Sequence, residues 1–176
     1  DVNRSGVHYR VERANDGRLA VRPPLTATKG IATTFARELL IDRLRHGRFR
    51  DVVDAQRRVT AKRATWEALV RAGAFDELEP RRDALFRLAA ADRQPHDPEA
   101  TPLFDVPVAT PTLAPLQLEE RFVWDHHTTR MSTLELHALD LVRDQLAELA
   151  AITLWQVRHL GRKARCRTAG LIVARQ

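Results

Sequence analysis

Apolar and polar residues alternate in two short stretches near the start of the chain. Residues 8–13 and 18–22 both follow this two-residue period, and Asn15-Asp16-Gly17 lies between them. Alternation is typical of a strand, and an Asp-Gly pair between two such runs is typical of a tight turn. The pattern predicts a β-hairpin, which Pro23-Pro24 ends because proline cannot donate to a strand ladder.

Helical spacing replaces this alternation from Thr33 onward. The sequence predicts one helix from Thr33 to about His46, ended by Gly47, and a short helix around residues 49–56. The positions expected to pack inward on the first of these helices are Phe35, Leu39, Leu40 and Leu44.

Two further helices are predicted between Thr60 and residue 91. Thr60 can cap the first of them, because its hydroxyl can accept a hydrogen bond from the first turn, and Gly73 ends it. The second covers residues 81–91. Helices this short are unstable alone, so we expect all four to pack together. Their inward positions are predicted to be Trp66, Leu69, Val70, Leu85, Leu88 and Ala89.

The second half of the chain begins with a change of composition. Residues 93–116 hold six of the nine prolines and no glycine, which indicates an extended, semi-rigid linker. A helix is predicted from Leu116 to about Thr128, and residues 164–174 read as a β-strand. An amphipathic helix is predicted from the apolar stripe of Leu139, Val142, Leu146 and Leu149.

The positive charge of the chain is confined to one window. The 176 residues have a net charge of +6. Between Lys29 and Arg63, ten basic residues face four acidic ones, so this window holds the entire excess. An ordinary solvent-exposed helix face interleaves both signs, whereas an excess of one sign favours a polyanionic partner.

Composition also bounds the class of protein. No apolar run approaches the ~20 residues that a membrane-spanning helix needs. Cys166 is the one cysteine and has no partner for an internal disulfide, which fits a reducing cytoplasm. We therefore expect no membrane partner and a cytoplasmic location.

The stretch Lys29-Gly30-Ile31-Ala32-Thr33 opens the first long helix and resembles the turn of a helix-hairpin-helix module. The usual form of that turn is glycine, an apolar residue, glycine and then a helix. Glycine lets the backbone approach a phosphate, the free N–H groups at the helix start bind the anion, and Lys29 would add a point charge. Ala32 replaces the second glycine, so we expect a weakened or reshaped phosphate contact. The alternative is an ordinary turn before a helix.

Candidates for catalysis or metal binding are few. His126-His127 lies beside Asp125, with His137 further on, but adjacent histidines point to different helix faces and no second cluster supplies further ligands. Cys166 has no histidine partner that would activate it. The sequence predicts no catalytic residue and no metal site within this chain.

The linker carries an apolar pair at Leu103-Phe104, between Pro102 and Asp105. Two apolar side chains on an extended segment suit the groove of a partner protein. The alternative is that Leu103 and Phe104 attach the linker to its own domain. The residues alone leave both readings open.

Taken in order, these stretches resemble one family over essentially the whole chain: the C-family bacterial replicative polymerases (DNA polymerase III alpha subunit), within it the error-prone, damage-inducible branch. The most specific matches are Ala72-Gly73-Ala74-Phe75-Asp76 at a helix end and residues 169–176, which look like the first strand of an oligonucleotide-binding (OB) barrel. Lys29-Gly30-Ile31 is similar to the helix-hairpin-helix of the family, and Pro102-Leu103-Phe104 to its sliding-clamp-binding peptide.

The resemblance implies a segment that grips duplex DNA beside the active site of a template-directed polymerase acting in repair and translesion synthesis. The catalytic aspartates and the Mg²⁺ ions of that polymerase would lie outside this chain. Ala100 stands where the clamp peptide normally begins with glutamine, so clamp binding should be weak or come from another protein of a mutasome. The residues expected to contact the DNA backbone are Lys29, Gly30, Ile31, Thr33, Arg37, Arg43, Arg45 and Arg48.

The predicted fold is mainly α, in four parts. These are a hairpin and helix-hairpin-helix DNA-binding domain (1–92), the proline-rich linker with the clamp-like peptide (93–116), a helical segment (117–160) and the first strand of a truncated OB fold (161–176). Two alternatives stay open: a free-standing DNA-binding remnant without polymerase activity, and a protein-interaction segment that uses the linker peptide and the 139–149 stripe.

Overall fold

A computed structural model describes residues 1–14, 16–91, 111, 113–132, 134, 137–161 and 163–170. Clustering of the chain gives two units, Asp1–Met131 and Ser132–Gln176. None of the helices in the described ranges is both long and apolar enough to cross a membrane. The elements of the first unit are β1 (Arg10–Arg13), β2 (Leu19–Arg22), a 3-10 turn (Leu25–Ala27), α1 (Thr33–His46), α2 (Val52–Arg58), α3 (Arg63–Arg71), α4 (Arg81–Ala91) and α5 (Leu118–Thr129).

The predicted hairpin is confirmed. Strands β1 and β2 pair antiparallel, with Val11 opposite Val21, and Gly17 takes the positive φ of 82° that the turn between them requires. On one face Arg22 makes two hydrogen bonds to Glu12, at 2.6 and 2.8 Å. The two strands form the sheet of the first unit.

Helix α1 has the predicted bounds but not all of the predicted inward positions. Phe35 and Leu39 are buried and Leu40 packs against the core, whereas Leu44 is 84% exposed. The buried face of α1 continues from Leu39 to Arg43, four residues further along, because four residues bring a helix back to the same side. The inward assignment of Leu44 is therefore wrong.

Helices α2 and α3 begin later than predicted. The carboxylate of Asp51 accepts a hydrogen bond from the Asp54 N–H at 2.8 Å, and this cap starts α2 at Val52. Thr60 does not cap α3. The helix begins at Arg63, so the Thr60 hydroxyl is not next to its first turn. Periodicity located both helices, but the local capping geometry set their first residues.

The core of the first unit is built from residues of α1, α2, α3 and α4. Trp66, Leu69 and Val70 of α3 are fully buried, as predicted, and so is Leu88 of α4. The ring of Phe35 meets the indole of Trp66 edge-on, with centroids 5.3 Å apart. Aromatic pairs in this geometry add stability beyond the area that they bury.

Helix α5 confirms the helix predicted from Leu116 to about Thr128, two residues later at its start. It belongs to the first unit with α3 and α4, not to a separate helical segment. Most of the predicted linker lies outside the described residues, and positions 111 and 113–117 form neither helix nor strand. The domain boundaries at 92 and 116 stay predictions.

The second unit consists of short helical pieces in its described part: a 3-10 helix (Ala138–Val142), α6 (Arg143–Glu148) and α7 (Leu154–Val157). The stripe at 139–149 therefore does not form one amphipathic α-helix, and Leu149 is 53% exposed. His137 and Asp140 cap the 3-10 piece reciprocally, with the His137 N–H 2.8 Å from the Asp140 carboxylate. The three-residue interval from Leu139 to Val142 also fits a 3-10 turn.

Residues 164–170 do not form the predicted strand. Arg167 makes one isolated bridge with Ala151, in which the Ile152 N–H donates to the Arg167 carbonyl at 2.8 Å. A strand needs a neighbouring strand as the partner of its hydrogen bonds, and the described part of this unit contains no strand. Residues 171–176 lie outside the described ranges, so the OB assignment stays a prediction.

Candidate nucleic-acid interface

The turn that precedes α1 exposes its backbone at Gly30. The Ile31 N–H donates to the Thr28 carbonyl at 3.1 Å and closes the turn, and Gly30 has a φ of 85°. Apart from Gly30 and its two neighbours in the chain, no residue has an atom within 4 Å of the position that a Cβ of Gly30 would occupy. Glycine is therefore favoured here by backbone conformation, and the backbone is open to a ligand.

The N-terminus of α1 carries no side-chain cap. Ala32 precedes the helix, no acidic residue lies in the first turn, and the Ala36 N–H makes the first helical hydrogen bond, to the Ala32 carbonyl. The earlier N–H groups and the helix dipole together favour an anion. Ala32 has a φ of −72°, which alanine adopts readily, so the conformation of this turn does not require the second glycine.

Buried groups hold the same turn from behind. The side chains of Thr28 and Ile31 are buried, and the Lys29 N–H donates to the Thr128 carbonyl of α5 at 2.7 Å. Ile31 was predicted to contact DNA, but its buried side chain leaves only its backbone for that role. The turn thus combines a fixed inner side with an exposed Gly30.

Four of the predicted cations are exposed. Lys29, Arg37, Arg45 and Arg48 form no ion pair with any residue that the structure describes. Arg37 and Arg45 lie on α1, Lys29 precedes this helix, and Arg48 follows it. Thr33, also predicted, is exposed in the first turn. These residues flank the Gly30 turn and extend to the far end of α1.

Arg43 has a different environment from the other predicted cations. Its guanidinium is half-buried and donates to the carbonyls of Val2 at 2.7 Å and of Ser5 at 3.2 Å. Burial lowers the pKa of Arg43 from its ordinary value. Arg43 therefore ties the N-terminal segment to α1, and its role as a phosphate contact stays a prediction.

An open cleft of ≈ 460 Å³ lies at the C-terminal end of α1. Arg58 crosses it, donating to Asp42 at 2.7 Å, to Asp54 at 3.2 Å and to the Gly47 carbonyl at 2.9 Å. These bonds offset the charge of Arg58 and hold the loop that carries the exposed Arg48. The cleft is lined by Asp42, His46, Arg48, Arg50, Asp54 and Arg58.

A buried ion-pair network that sequence reasoning missed lies behind this surface. The Arg81 guanidinium is 5% exposed and donates to Asp125 at 2.6 Å, to Asp76 at 2.8 Å and to the Arg71 carbonyl at 2.8 Å. Burial alone would lower the pKa of Arg81, but Asp76 and Asp125 raise it above its ordinary value. No sequence motif connects these residues, because Arg81 and Asp125 are 44 positions apart.

The remaining candidates do not form a site in the described part of the chain. The carboxylate of Asp125 forms an ion pair with Arg81, and His126 and His127 are exposed. The described residues contain no cluster of three or more histidine, cysteine or acidic side chains that could hold a metal ion. Leu103 and Phe104 lie outside the described residues.

The exposed glycine turn, the open helix start and the exposed cations beside them lie where the sequence predicts a helix-hairpin-helix turn. The family model described as "Helix-hairpin-helix motif" matches residues 1–85. The chain is also similar over its whole length to curated proteins named error-prone DNA polymerase. It is 32% identical to that of Alkalilimnicola ehrlichii over 183 residues, 30% to that of Brucella abortus over 184, and 29% to that of Nocardia farcinica over 187.

These similarities confirm the resemblance to error-prone DNA polymerases. Each of the three alignments covers 100% of this chain but 17%, 16% and 16% of the respective relative. The chain thus spans about a sixth of the length of the curated relatives that it matches, and it is similar to one segment of them.

Proposed function

We propose that this chain is a DNA-binding segment of an error-prone DNA polymerase and that it holds the backbone of duplex DNA without reading the sequence. The observation that carries the proposal is the exposed turn at Gly30, which opens onto the uncapped N-terminus of α1. Contacts from backbone N–H groups and from Lys or Arg to phosphates position a protein on DNA but carry no sequence information.

The geometry supports one close phosphate contact and several looser ones. A phosphate oxygen at Gly30 would accept hydrogen bonds from the first N–H groups of α1 and from the Thr33 hydroxyl, and Lys29 would add its charge. Arg37, Arg45 and Arg48 would meet further phosphates. The 14 residues of α1 span about 21 Å, which covers several phosphates along a duplex.

The number of unpaired cations between Lys29 and Arg63 determines how strongly DNA affinity should depend on salt. Arg58 is offset by Asp42 and Asp54, Arg63 pairs with Glu67, and Arg43 is bound to backbone carbonyls. Of the other cations in the window, Lys29, Arg37, Arg45 and Arg48 lie on α1 or next to its ends, and we take these four as the principal phosphate contacts. If these four neutralise about four phosphates, log K should fall against log salt with a slope of about −3.6.

A fluorescence-anisotropy titration with labelled duplexes tests the proposal. Between about 50 and about 300 mM salt we expect the affinity to fall by roughly 600-fold, and equally for duplexes of unrelated sequence. Equal affinities at the two salt concentrations, or a strong preference for one sequence, would contradict the proposal.

The polymerase reaction itself is proposed for the longer protein and not for these residues. The resemblance implies that its carboxylates and Mg²⁺ lie elsewhere in that longer protein. We assign this segment to DNA repair or translesion synthesis in the cytoplasm, from the resemblance alone. The rival, a free-standing DNA-binding remnant, predicts no coding sequence for a palm domain next to this segment, whereas an open frame containing Asp-x-Asp would favour the polymerase.

We further propose, on the sequence alone, that Leu103 and Phe104 contact a sliding clamp or another mutasome protein weakly. In a pull-down with the clamp, the amount of chain retained should be smaller for the variant Leu103→Ala/Phe104→Ala than for the parent. Equal retention of the parent and the variant would remove the peptide from the account and leave the DNA-binding proposal standing.

A further inference from the structure

We infer that Arg81 and Asp125 are positioning residues for DNA binding: they hold α5 so that its last turn fixes the backbone of the Gly30 turn. The inference rests on the proposed function, because it assigns the placement of the same phosphate-binding turn. It concerns residues 28–31, 81 and 120–129, which all belong to the first unit.

The attachment of α5 is strong at its start and in its middle. At the start, the Arg82 guanidinium donates two hydrogen bonds of 2.7 Å to the carboxylate of Glu120. In the middle, Arg81 and Asp125 form a pair that is 5% and 1% exposed. Charge-assisted bonds of this length in a buried setting fix the position of a helix along and around its axis.

Asp125 lies one turn before the end of α5, where the helix meets the Gly30 turn. The Thr128 carbonyl accepts the Lys29 N–H at 2.7 Å, and the side chain of Thr128 is itself buried. A shift of the last turn of α5 therefore moves the acceptor of Lys29, directly beside Gly30. Glu120 lies about two turns from Thr128, whereas Asp125 lies within one.

Two variants with the same change of charge separate positioning from general electrostatics. Asp125→Asn and Glu120→Gln each remove one negative charge from α5 and one partner of an arginine of α4. For Asp125→Asn we expect the exchange protection of the Lys29 amide to fall about tenfold, and the affinity for duplex DNA to fall by about tenfold as well. For Glu120→Gln both quantities should stay within about twofold of the parent.

The outcomes distinguish the inference from the function on which it rests. Unchanged protection of Lys29 in Asp125→Asn, or lost protection with unchanged affinity for DNA, overturns the positioning role and leaves the proposed function intact. Failure of the unmodified chain to bind any duplex overturns both.

The unmodified chain supplies a second arm in case Asp125→Asn does not fold. Coupling is reciprocal, so DNA that binds the turn must also stabilise the end of α5. With saturating duplex, exchange of the Thr129 amide, at the last turn of α5, should slow by about tenfold together with that of Lys29. Slowing of Lys29 without any change at Thr129 overturns the inference.

Discussion

Arg43 and Arg45 lie two residues apart on α1, yet the structure gives them different surroundings. Arg43 is half-buried and holds two carbonyls of the N-terminal segment, whereas Arg45 is exposed and free of ion pairs among the described residues. Sequence reasoning grouped the two by charge. It could not separate them, because the carbonyls that bind Arg43 come from a segment 38 to 41 positions away.

The variants Arg43→Gln and Arg45→Gln should therefore differ in kind. We expect Arg43→Gln to lower the free energy of unfolding by about 1–2 kcal/mol, because two carbonyls lose a charged donor. Arg45→Gln should leave stability unchanged and weaken DNA binding. Urea unfolding and anisotropy on both variants check this, and equal stability of the two would contradict the structural role of Arg43.

Gly30 and Gly73 both have positive φ, but alanine should cost more at Gly73. A Cβ at Gly73 would clash with the Arg81 Nη2 and lie 2.7 Å from an Asp76 carboxylate oxygen, whereas a Cβ at Gly30 would meet no residue beyond its chain neighbours within 4 Å. For Gly30→Ala we expect a loss of about 1–2 kcal/mol from backbone strain. Gly73→Ala should lose more, because it also disturbs the buried Arg81 network. Thermal unfolding that ranks the two in the opposite order would refute this.

At the scale of elements, the bundle depends on α3. Trp66 is fully buried against Phe35, so Trp66→Ala should lower the free energy of unfolding by about 3–5 kcal/mol. Trp155 of α7 is 67% exposed, and Trp155→Ala is the matched control with little expected loss. Denaturant unfolding measures both variants. A negligible loss for Trp66→Ala would remove this residue from the core.

The elements that the sequence predicted well are those whose signals are local. The hairpin follows from alternation around Asp16-Gly17, and α1 from helical spacing ended by Gly47. The wrong predictions are those that depended on a distant partner. No strand among the described residues pairs with residues 164–170, and Arg43 rather than Leu44 lies on the inward face of α1. The Gly30 turn was likewise predictable from its residues, whereas its anchor on Thr128 is a contact between positions 99 apart.

At the scale of the whole molecule, the net charge of +6 is less informative than the part of it that is unpaired. Arg58 and Arg63 belong to the basic window but form ion pairs: Arg58 with Asp42 and Asp54, and Arg63 with Glu67. Of the exposed cations in the window, Lys29, Arg37, Arg45 and Arg48 lie on α1 or next to its ends. Because the structural cations are already paired, the slope of DNA affinity against salt concentration reports how many of the free cations contact DNA.

The salt slope of Lys29→Gln, measured beside that of the parent and of Arg165→Gln, tests the central claim most directly. Both variants remove one exposed positive charge, but only Lys29 adjoins the Gly30 turn. We expect the slope of log K against log salt to move from about −3.6 to about −2.7 in Lys29→Gln and not to move in Arg165→Gln. Equal slopes for the two variants would contradict the assignment of the Gly30 turn as the phosphate-binding site.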